Sequence, residues 1–192
     1  MIQIDIMLKT DLTKFNNSWY YAEYPAGKPK IILWFIINSL TINSYLPIPI
    51  AVKAFILRLF GAKIGSGFVI KPKVNIKFPW LLEVGNNVWI GELVWIDNFA
   101  KVTIADNACV SQGAMLLTGN HDYKKSTFDL MIGEIYLEEG AWIGAKAVVC
   151  PGIRCKSHSV LTVSSVATKD LTAYSIYQGN PAVLVKTRTI NQ

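Results

Sequence analysis

The chain has 192 residues, of which 52% are hydrophobic and 17% are charged, and its formal net charge is +6. This length suits one domain with a substantial core and short appendages, and the apolar fraction excludes a disordered protein. The 19 Lys and Arg residues are spread along the chain rather than clustered, so the sequence predicts a generally basic surface and no nucleic-acid partner.

The N-terminus alternates isoleucine with polar residues and carries an early Asp5, so it lacks the pattern of a signal peptide. The three cysteines, Cys109, Cys150 and Cys155, have no CxxC spacing. They indicate neither a disulfide framework nor a zinc site. We therefore expect a cytoplasmic protein without a metal.

Residues from about 29 to 61 have apolar positions at helical spacing, with Pro47 and Pro49 between two helices and Gly61 as the expected end of the second. The apolar run that begins at Ile31 is interrupted at Asn38, well before the roughly 20 residues that a membrane span needs. We expect residues 1–61 to form an N-terminal segment whose helices pack on the protein. Contact with a membrane surface is the alternative.

A six-residue repeat begins directly after this segment. Large apolar residues recur every six positions in four sets, and 13 of the 15 positions are Leu, Ile or Val. The positions are Ile64, Ile70, Ile76; Val84, Ile90, Ile96; Ile104, Val110, Leu116; and Leu137, Ile143, Val149, Cys155, Leu161, Ala167. Repeats of this kind indicate stacked coils.

Small or β-branched residues follow four positions after these, as at Val94, Ala108 and Ala147. One large and one small inward residue every six suit a triangular coil of three short strands. Gly65, Gly85, Gly91 and Gly144 each follow a large residue, and we expect them to relax the backbone at the corners. The repeat predicts an all-β solenoid over residues 62–173, followed by a C-terminal tail over 174–192. A β-sandwich would show alternation of period two without the six-residue phase, so an ordinary all-β domain is the competing fold.

The repeat is interrupted over residues 118–136, where a loop of about 15 residues leaves the coils. Such loops are where function is expected, because the scaffold holds them rigidly. The loop contains His121, a natural general base near neutral pH, between Asn120 and Asp122, whose side chains could bind the imidazole or a substrate.

The stretches "NNVWIGELVWIDN", "SQGAMLLTGNHDY", "GAWIGAKAVVCPGI", "SVATKD" and "GNPAVLVK" resemble the hexapeptide-repeat acetyltransferases, and among them the colanic acid biosynthesis acetyltransferase group. The resemblance covers nearly the whole chain, including "FNNSWY" at residues 15–20. It implies a left-handed parallel β-helix, a homotrimer with sites between subunits, and transfer of an acetyl group from acetyl-CoA to a sugar or glycan acceptor.

The resemblance also assigns residues. It implies that His121 is the catalytic base and that Asp97, in "WIDN", contacts the acceptor. The implied coenzyme A contacts are Ala145, Val163, Thr168 and Lys169. We further expect a backbone N–H near Gly144 or Ala145 to stabilise the oxyanion, and Lys169, Lys186 or Arg188 to contact the phosphates. The coil reading "CKSHSVLTVSSVATKD" departs from the family pattern, since Val163 is bulkier than the usual residue beside the pantetheine arm.

Of three alternative functions, the sequence excludes one and leaves two open. A γ-class carbonic anhydrase shares the repeat but requires three histidines for each zinc ion, and this chain has only His121 and His158. A noncatalytic β-helix scaffold and an acetyltransferase with a non-sugar acceptor remain open. The apolar N-terminal helices favour a glycan intermediate near the inner face of the membrane, in exopolysaccharide or surface glycan biosynthesis.

Overall fold

In this computed structural model, which describes residues 9–23 and 26–191, the centre of the chain winds as a left-handed parallel β-helix of about six coils. The predicted N-terminal segment and tail include residues 1–8, 24, 25 and 192, which lie outside the described part. Each of the first five coils has three short strands, so the solenoid prediction is confirmed. The strands are β1 (Lys63–Ile64), β2 (Val69–Ile70), β3 (Asn75–Ile76); β4 (Leu82–Val84), β5 (Trp89–Ile90), β6 (Trp95–Asp97); β7 (Val102–Ile104), β8 (Cys109–Val110), β9 (Met115–Leu117); β10 (Gly119–His121) and β11 (Leu130–Ile132), which leave the coils; β12 (Ile135–Leu137), β13 (Trp142–Ile143), β14 (Val148–Val149); and β15 (Arg154–Cys155), β16 (Val160–Leu161), β17 (Val166–Ala167).

The strands stack into three parallel sheets, which we name faces A, B and C. Face A contains β1, β4, β7, β12 and β15; face B contains β2, β5, β8, β13 and β16; and face C contains β3, β6, β9, β14 and β17. All 15 positions of the six-residue ladder are buried, as are the small residues that follow them. The core is therefore one continuous column inside the triangular coil.

The coils differ in length. Paired residues such as Ile64, Val84 and Ile104 lie 20 positions apart, whereas Leu137 and Cys155 lie 18 apart. The longer coils carry their extra residues at the corner between faces C and A. There the buried Asn98 amide accepts a hydrogen bond from the backbone N of Phe78 (2.9 Å) and donates one to its carbonyl (2.6 Å). This pairing stabilises the wider corner.

The glycines after the ladder positions have a role different from the one expected. None of the four glycines that follow a ladder residue has a positive φ. The left-handed backbone conformation at the corners is adopted by residues further along, including Leu93 (φ 60°) and Lys146 (φ 57°). A Cβ on Gly91 would lie 2.6 Å from the backbone N of Gln112, in the next coil. Glycine is needed at such positions because adjacent coils approach closely, not because the corner requires conformational freedom.

Ahead of the coils, the described residues form a short 3-10 helix (Leu12–Lys14) and the α-helices α1 (Ser18–Glu23), α2 (Lys28–Leu40) and α3 (Ile50–Leu59). Leu57 and Trp34 are buried against the first coil, and the Trp34 indole N donates to the carbonyl of Ile76 at 2.8 Å. Gly61 follows α3 with φ +101°, the conformation typical of a helix C-terminus. Within the described residues, no helix combines the length and the apolar character needed to cross a bilayer.

The tail predicted over residues 174–192 contains two further strands, β18 (Ser175–Gly179) and β19 (Ala182–Thr187). β18 lies parallel to β16 on face B, and β19 turns back antiparallel to β18. The physical reason is that the edge of β16 offers free backbone groups, which β18 satisfies while Tyr177 packs against the core. The motif "GNPA" forms the turn between these strands.

Candidate active site

The loop that interrupts the repeat is an antiparallel hairpin. It leaves the coils after β9, at the corner between faces C and A, and its strands β10 and β11 pair from Gly119–Ile132 to His121–Leu130. His121 is the last residue of β10. The backbone hydrogen bonds of the hairpin hold its side chain away from the core, where it is only partly exposed.

The imidazole of His121 is fixed by Phe128, on the other side of the hairpin. Nδ1 lies 2.8 Å from the Phe128 carbonyl oxygen, and the two rings stack with centroids 4.3 Å apart and an angle of 6°. A carbonyl oxygen only accepts hydrogen bonds, so Nδ1 must carry the proton of the neutral ring. This arrangement leaves Nε2 with a free lone pair, which is the state that a general base requires.

Phe128 was not found from the sequence. It adopts φ +52°, an uncommon conformation for a non-glycine residue. Uncommon backbone conformations often occur at functional sites. Phe15, from the N-terminal segment, lies on the hairpin as well, with its ring centroid 5.5 Å from that of His121.

The neighbours of His121 contact the hairpin backbone rather than the imidazole. The side-chain Oδ1 of Asn120 accepts from the His121 backbone N (2.8 Å), and the Asp122 carboxylate accepts from the Lys124 backbone N (3.0 Å). At the tip, hydrogen bonds from Thr127 and Lys125 hold the pKa of Asp129 below its usual value. A role for Asn120 and Asp122 in substrate binding stays a prediction.

Asp97 lies on face C, at the edge of a cavity of about 450 Å³ between the N-terminal helices and the first two coils. Its Oδ1 is 2.9 Å from Nζ of Lys77, which also lies 3.6 Å above the centre of the Phe99 ring. The walls of this cavity are mostly aromatic and aliphatic, and its polar groups are few: Asn17, Asn38, Asn75, Lys77 and Asp97. An apolar cavity with a few polar groups is typical of a small-molecule site.

Asn38 stands out among the residues lining this cavity. It is 5% exposed, and its amide N donates to Oδ1 of Asn75 at 3.0 Å. Its own Oδ1 has no hydrogen-bond partner among the described residues. A buried polar atom without a partner costs roughly 1–3 kcal/mol. A donor group on a bound ligand would remove that cost after a small rotation of the amide.

Phe99 connects the cavity to the hairpin. A Cβ on Gly119, two residues before His121, would lie 2.8 Å from the Phe99 ring, which also lines the cavity. Tyr20, which is buried, donates its hydroxyl to the Phe99 carbonyl (2.9 Å). The N-terminal segment, the hairpin and the cavity therefore share one aromatic cluster.

The predicted coenzyme A residues do not come together in a single chain. Gly144 and Ala145 lie at the corner between faces B and C, with Val163 exposed in the coil beyond. Thr168 and Lys169 are exposed after β17, at the opposite edge of face C. Gly144 itself is buried beneath the next coil, so its role within the chain is close packing.

The backbone N–H of Ala145 has no acceptor among the described residues, although those of Gly144 and Lys146 do. It is therefore available to a ligand. The hairpin that carries His121 leaves the coils from the other edge of face C. Within one chain, the Ala145 N–H and the His121 imidazole therefore lie at opposite edges of this face.

The two basic residues near the C-terminus differ. Lys186 is exposed on β19 and has no ion-pair partner within residues 9–23 and 26–191. Arg188 is half-buried, and its guanidinium donates to the carbonyls of Gly140 and His158, both at 3.1 Å. Arg188 therefore fastens β19 to a corner of the coils, a role that the sequence did not indicate.

Comparison with known proteins finds relatives by sequence that are named as acetyltransferases. The chain is 35% identical over 160 residues to a protein of Escherichia coli (strain K12) named as the colanic acid biosynthesis acetyltransferase WcaF, covering 83% of this chain and 87% of that protein. It is 26% identical over 134 residues to the galactoside O-acetyltransferase of the same organism, covering 65% and 63%. No family model matches the chain.

Among solved structures, a hexapeptide-repeat-containing acetyltransferase from Vibrio cholerae superposes with a TM-score of 0.77 at 20% identity, covering 93% of this chain and 98% of that one. A galactoside acetyltransferase in complex with coenzyme A gives a TM-score of 0.75 at 19% identity, covering 84% and 82%. These two likenesses are evidence of the fold.

Proposed function

From its membership of the hexapeptide-repeat acetyltransferases, the family to which this chain belongs, we propose that the protein transfers the acetyl group of acetyl-CoA to a sugar hydroxyl with His121 as general base. The observation that carries the proposal is the hydrogen bond between Nδ1 of His121 and the Phe128 carbonyl. It selects the tautomer whose Nε2 can accept a proton.

The reaction needs placement more than activation, because a thioester is already a reactive acyl donor. Nε2 of His121 takes the proton of the acceptor hydroxyl as its oxygen forms the new ester bond to the acetyl carbon. The C–S bond then breaks, and the proton passes from the imidazolium to the departing thiolate. The backbone N–H of Ala145 is available to stabilise the oxyanion between these steps.

We further propose a trimer with sites between subunits, in which the imidazole of one chain meets the Ala145 N–H of its neighbour, because these two groups lie at opposite edges of face C within one chain. The outward side chains near the corner between faces B and C are apolar: Trp89, Leu93, Trp95 and Trp142 are 40–61% exposed. Face A instead presents charged residues such as Lys63 and Glu83. Faces B and C therefore suit burial between subunits.

We expect sedimentation equilibrium to give a mass of about three times 21.4 kDa. A Trp89→Glu, Leu93→Glu double variant should dissociate and lose activity, because it buries two unpaired charges in the contact. A matched variant on face A, Thr103→Glu, should remain trimeric. A fully active monomer would contradict the shared site.

We propose that the cavity bounded by Asp97, Lys77 and Asn38 binds the acceptor. Asp97→Ala is expected to raise the KM for the acceptor about 10- to 100-fold, the range for losing a hydrogen bond to a charged group. The KM for acetyl-CoA should change little, and Asp106→Ala, outside the cavity, should change neither. Equal rises in both KM values would place Asp97 elsewhere in the mechanism.

The phosphates of coenzyme A are predicted to contact Lys186, whose ammonium is free. Lys186→Ala should weaken acetyl-CoA binding about two- to fivefold at low salt, with a smaller effect as the salt concentration rises. Arg188→Ala should instead lower the melting temperature, because two carbonyls lose their donor. If Lys186→Ala binds acetyl-CoA normally by calorimetry, Lys169 becomes the candidate.

The acceptor is proposed to be a unit of an exopolysaccharide or surface glycan made at the inner face of the membrane, in line with the name of the WcaF relative. The test is a screen with labelled acetyl-CoA against free sugars, nucleotide sugars and lipid-linked oligosaccharides, followed by location of the acetylated oxygen. If no sugar takes up the labelled acetyl group and an amine does, the acceptor is an amine rather than a glycan unit.

A further inference from the structure

The N-terminal helices present an unusual outer surface, which we name the apolar helical face. Their inner sides pack on the first coil, but eleven large apolar side chains of α2, α3 and the connection between them point outward and are 39–70% exposed. These residues are Ile32, Leu33, Phe35, Ile36, Leu40, Tyr45, Leu46, Ile50, Val52, Phe55 and Leu59. A large side chain has a surface on the order of 200 Å², so at these exposed fractions the eleven residues together expose roughly 1,000 Å². This area is above the ~300–600 Å² of the largest apolar patch on a typical monomer.

The charge around this face is of one sign. The segment from residue 24 to residue 82 contains eight of the 19 Lys and Arg residues and none of the 13 Asp and Glu residues, so the rest of the chain is slightly acidic. Among described residues 26–62, no side chain takes part in an ion pair. Lys28 and Lys30, at the start of α2, and Arg58, near the end of α3, are exposed.

Not every cation in the segment contributes. Lys53 is 2% exposed, and burial lowers the pKa of its ammonium. The outward positive charge therefore comes from both ends of the helical pair and from the first coil, for example Lys71. This arrangement, apolar in the middle and basic at the rim, is that of a helix surface that lies in the headgroup region of a bilayer.

We infer that the apolar helical face binds the surface of a bilayer containing anionic lipids, with α2 and α3 lying in its plane. The two helices have 13 and 10 residues, which suits an interfacial position. Charge decides against a second copy of the chain as the occupant, because two such faces would bring cations together without an acidic partner. Anionic headgroups supply the missing charge, at about 1 kcal/mol for each basic residue near the surface.

A second cavity on this side of the molecule supports a lipid as the partner. It has a volume of about 580 Å³ and is lined mainly by apolar groups of Tyr21, Ala26, Gly27, Ile31 and Ile32, with Lys28 at its edge. Tyr21 and Ile31 also line the cavity that contains Asp97. The bound membrane would therefore lie next to the proposed acceptor site, although the inference does not depend on the acceptor.

The test is co-sedimentation of the full protein with vesicles, without acetyl-CoA or acceptor. We expect binding to vesicles of phosphatidylcholine with 30% phosphatidylglycerol, weak binding to phosphatidylcholine alone, and release as the salt concentration rises. A Leu33→Gln, Phe55→Gln variant, with one change in each helix, should bind at least tenfold more weakly. The matched control, Leu184→Gln with Ile190→Gln, removes exposed apolar groups from the far end and should bind normally.

Charge is tested separately. Lys28→Gln should weaken binding about fivefold, whereas Lys156→Gln, on a distal coil, should not. Circular dichroism and melting temperatures establish that every variant is folded.

Wild-type protein that stays in the supernatant with anionic vesicles overturns the inference, as does loss of binding in the controls alone. If the wild-type protein and the controls self-associate and only the Leu33→Gln, Phe55→Gln variant does not, the apolar helical face binds a second copy of the chain instead. Because binding is measured without catalysis, its failure leaves the acetyltransferase assignment untouched.

Discussion

Replacing His121 with alanine is expected to lower the turnover rate of acetyl transfer by about 10²–10⁴-fold, the usual contribution of a general base. The imidazole stacks on Phe128 and holds its proton on Nδ1, so the variant loses the lone pair of Nε2 that we propose accepts the hydroxyl proton. Acetyl-CoA should still bind, since none of its predicted contacts lies on the hairpin.

Two further variants sharpen this test. His121→Asn keeps a polar side chain that cannot accept the proton at neutral pH, so it should be nearly as inactive as alanine. His158→Ala, which removes the other histidine, should keep close to the wild-type rate. Full activity in His121→Ala, in a protein shown by sedimentation to be trimeric, would refute the proposed base.

The second large effect concerns stability. Gly91→Ala is expected to lower the free energy of unfolding by about 2–3 kcal/mol, because the new Cβ would lie 2.6 Å from the Gln112 backbone N and the coils would have to separate. For a chain of this size, that corresponds to a melting temperature roughly 5–10 °C lower.

Gly152→Ala is the matched control. Gly152 has φ +79°, and no other atom lies within 4 Å of the place that a Cβ would occupy, so alanine there meets only backbone strain. We expect a loss of about 1 kcal/mol, or roughly 2–4 °C. Thermal unfolding followed by circular dichroism measures both. If Gly152→Ala proved the more damaging change, conformational freedom would be the main reason for glycine in these coils, as the sequence first indicated.

The coils were predictable because their core repeats. One inward residue every six positions is a local signal, and it continues from Ile64 to Ala167 with two extra residues after each of the first two coils and a single long interruption. The strands β18 and β19 were not predictable, because Tyr177 joins the core outside the six-residue spacing and β19 runs in the opposite direction. The six-residue spacing therefore predicted the regular coils but not the two strands that follow them.

The site was only partly predictable for the same reason. The repeat located His121 by its position in the interruption, but Phe128 acts through the fold of the hairpin, which no spacing revealed. Lys77 could have been found, since it lies 20 residues before Asp97, one coil length, and coils of that length stack those positions. Asn38 reaches the cavity from a helix packed on the first coil, a contact between distant segments.

The antiparallel strand β19 also determines what the molecule cannot become. A stack of parallel coils is a template that could accept a further chain at an open end, as fibrils do. Here β18 is already paired with β19, and the first coil lies under α2 and α3. The solenoid is thus a rod of fixed length. Shortening the chain after Ala173 would expose the edge of β16 and leave an open template at one end of the rod, while α2 and α3 still cover the other.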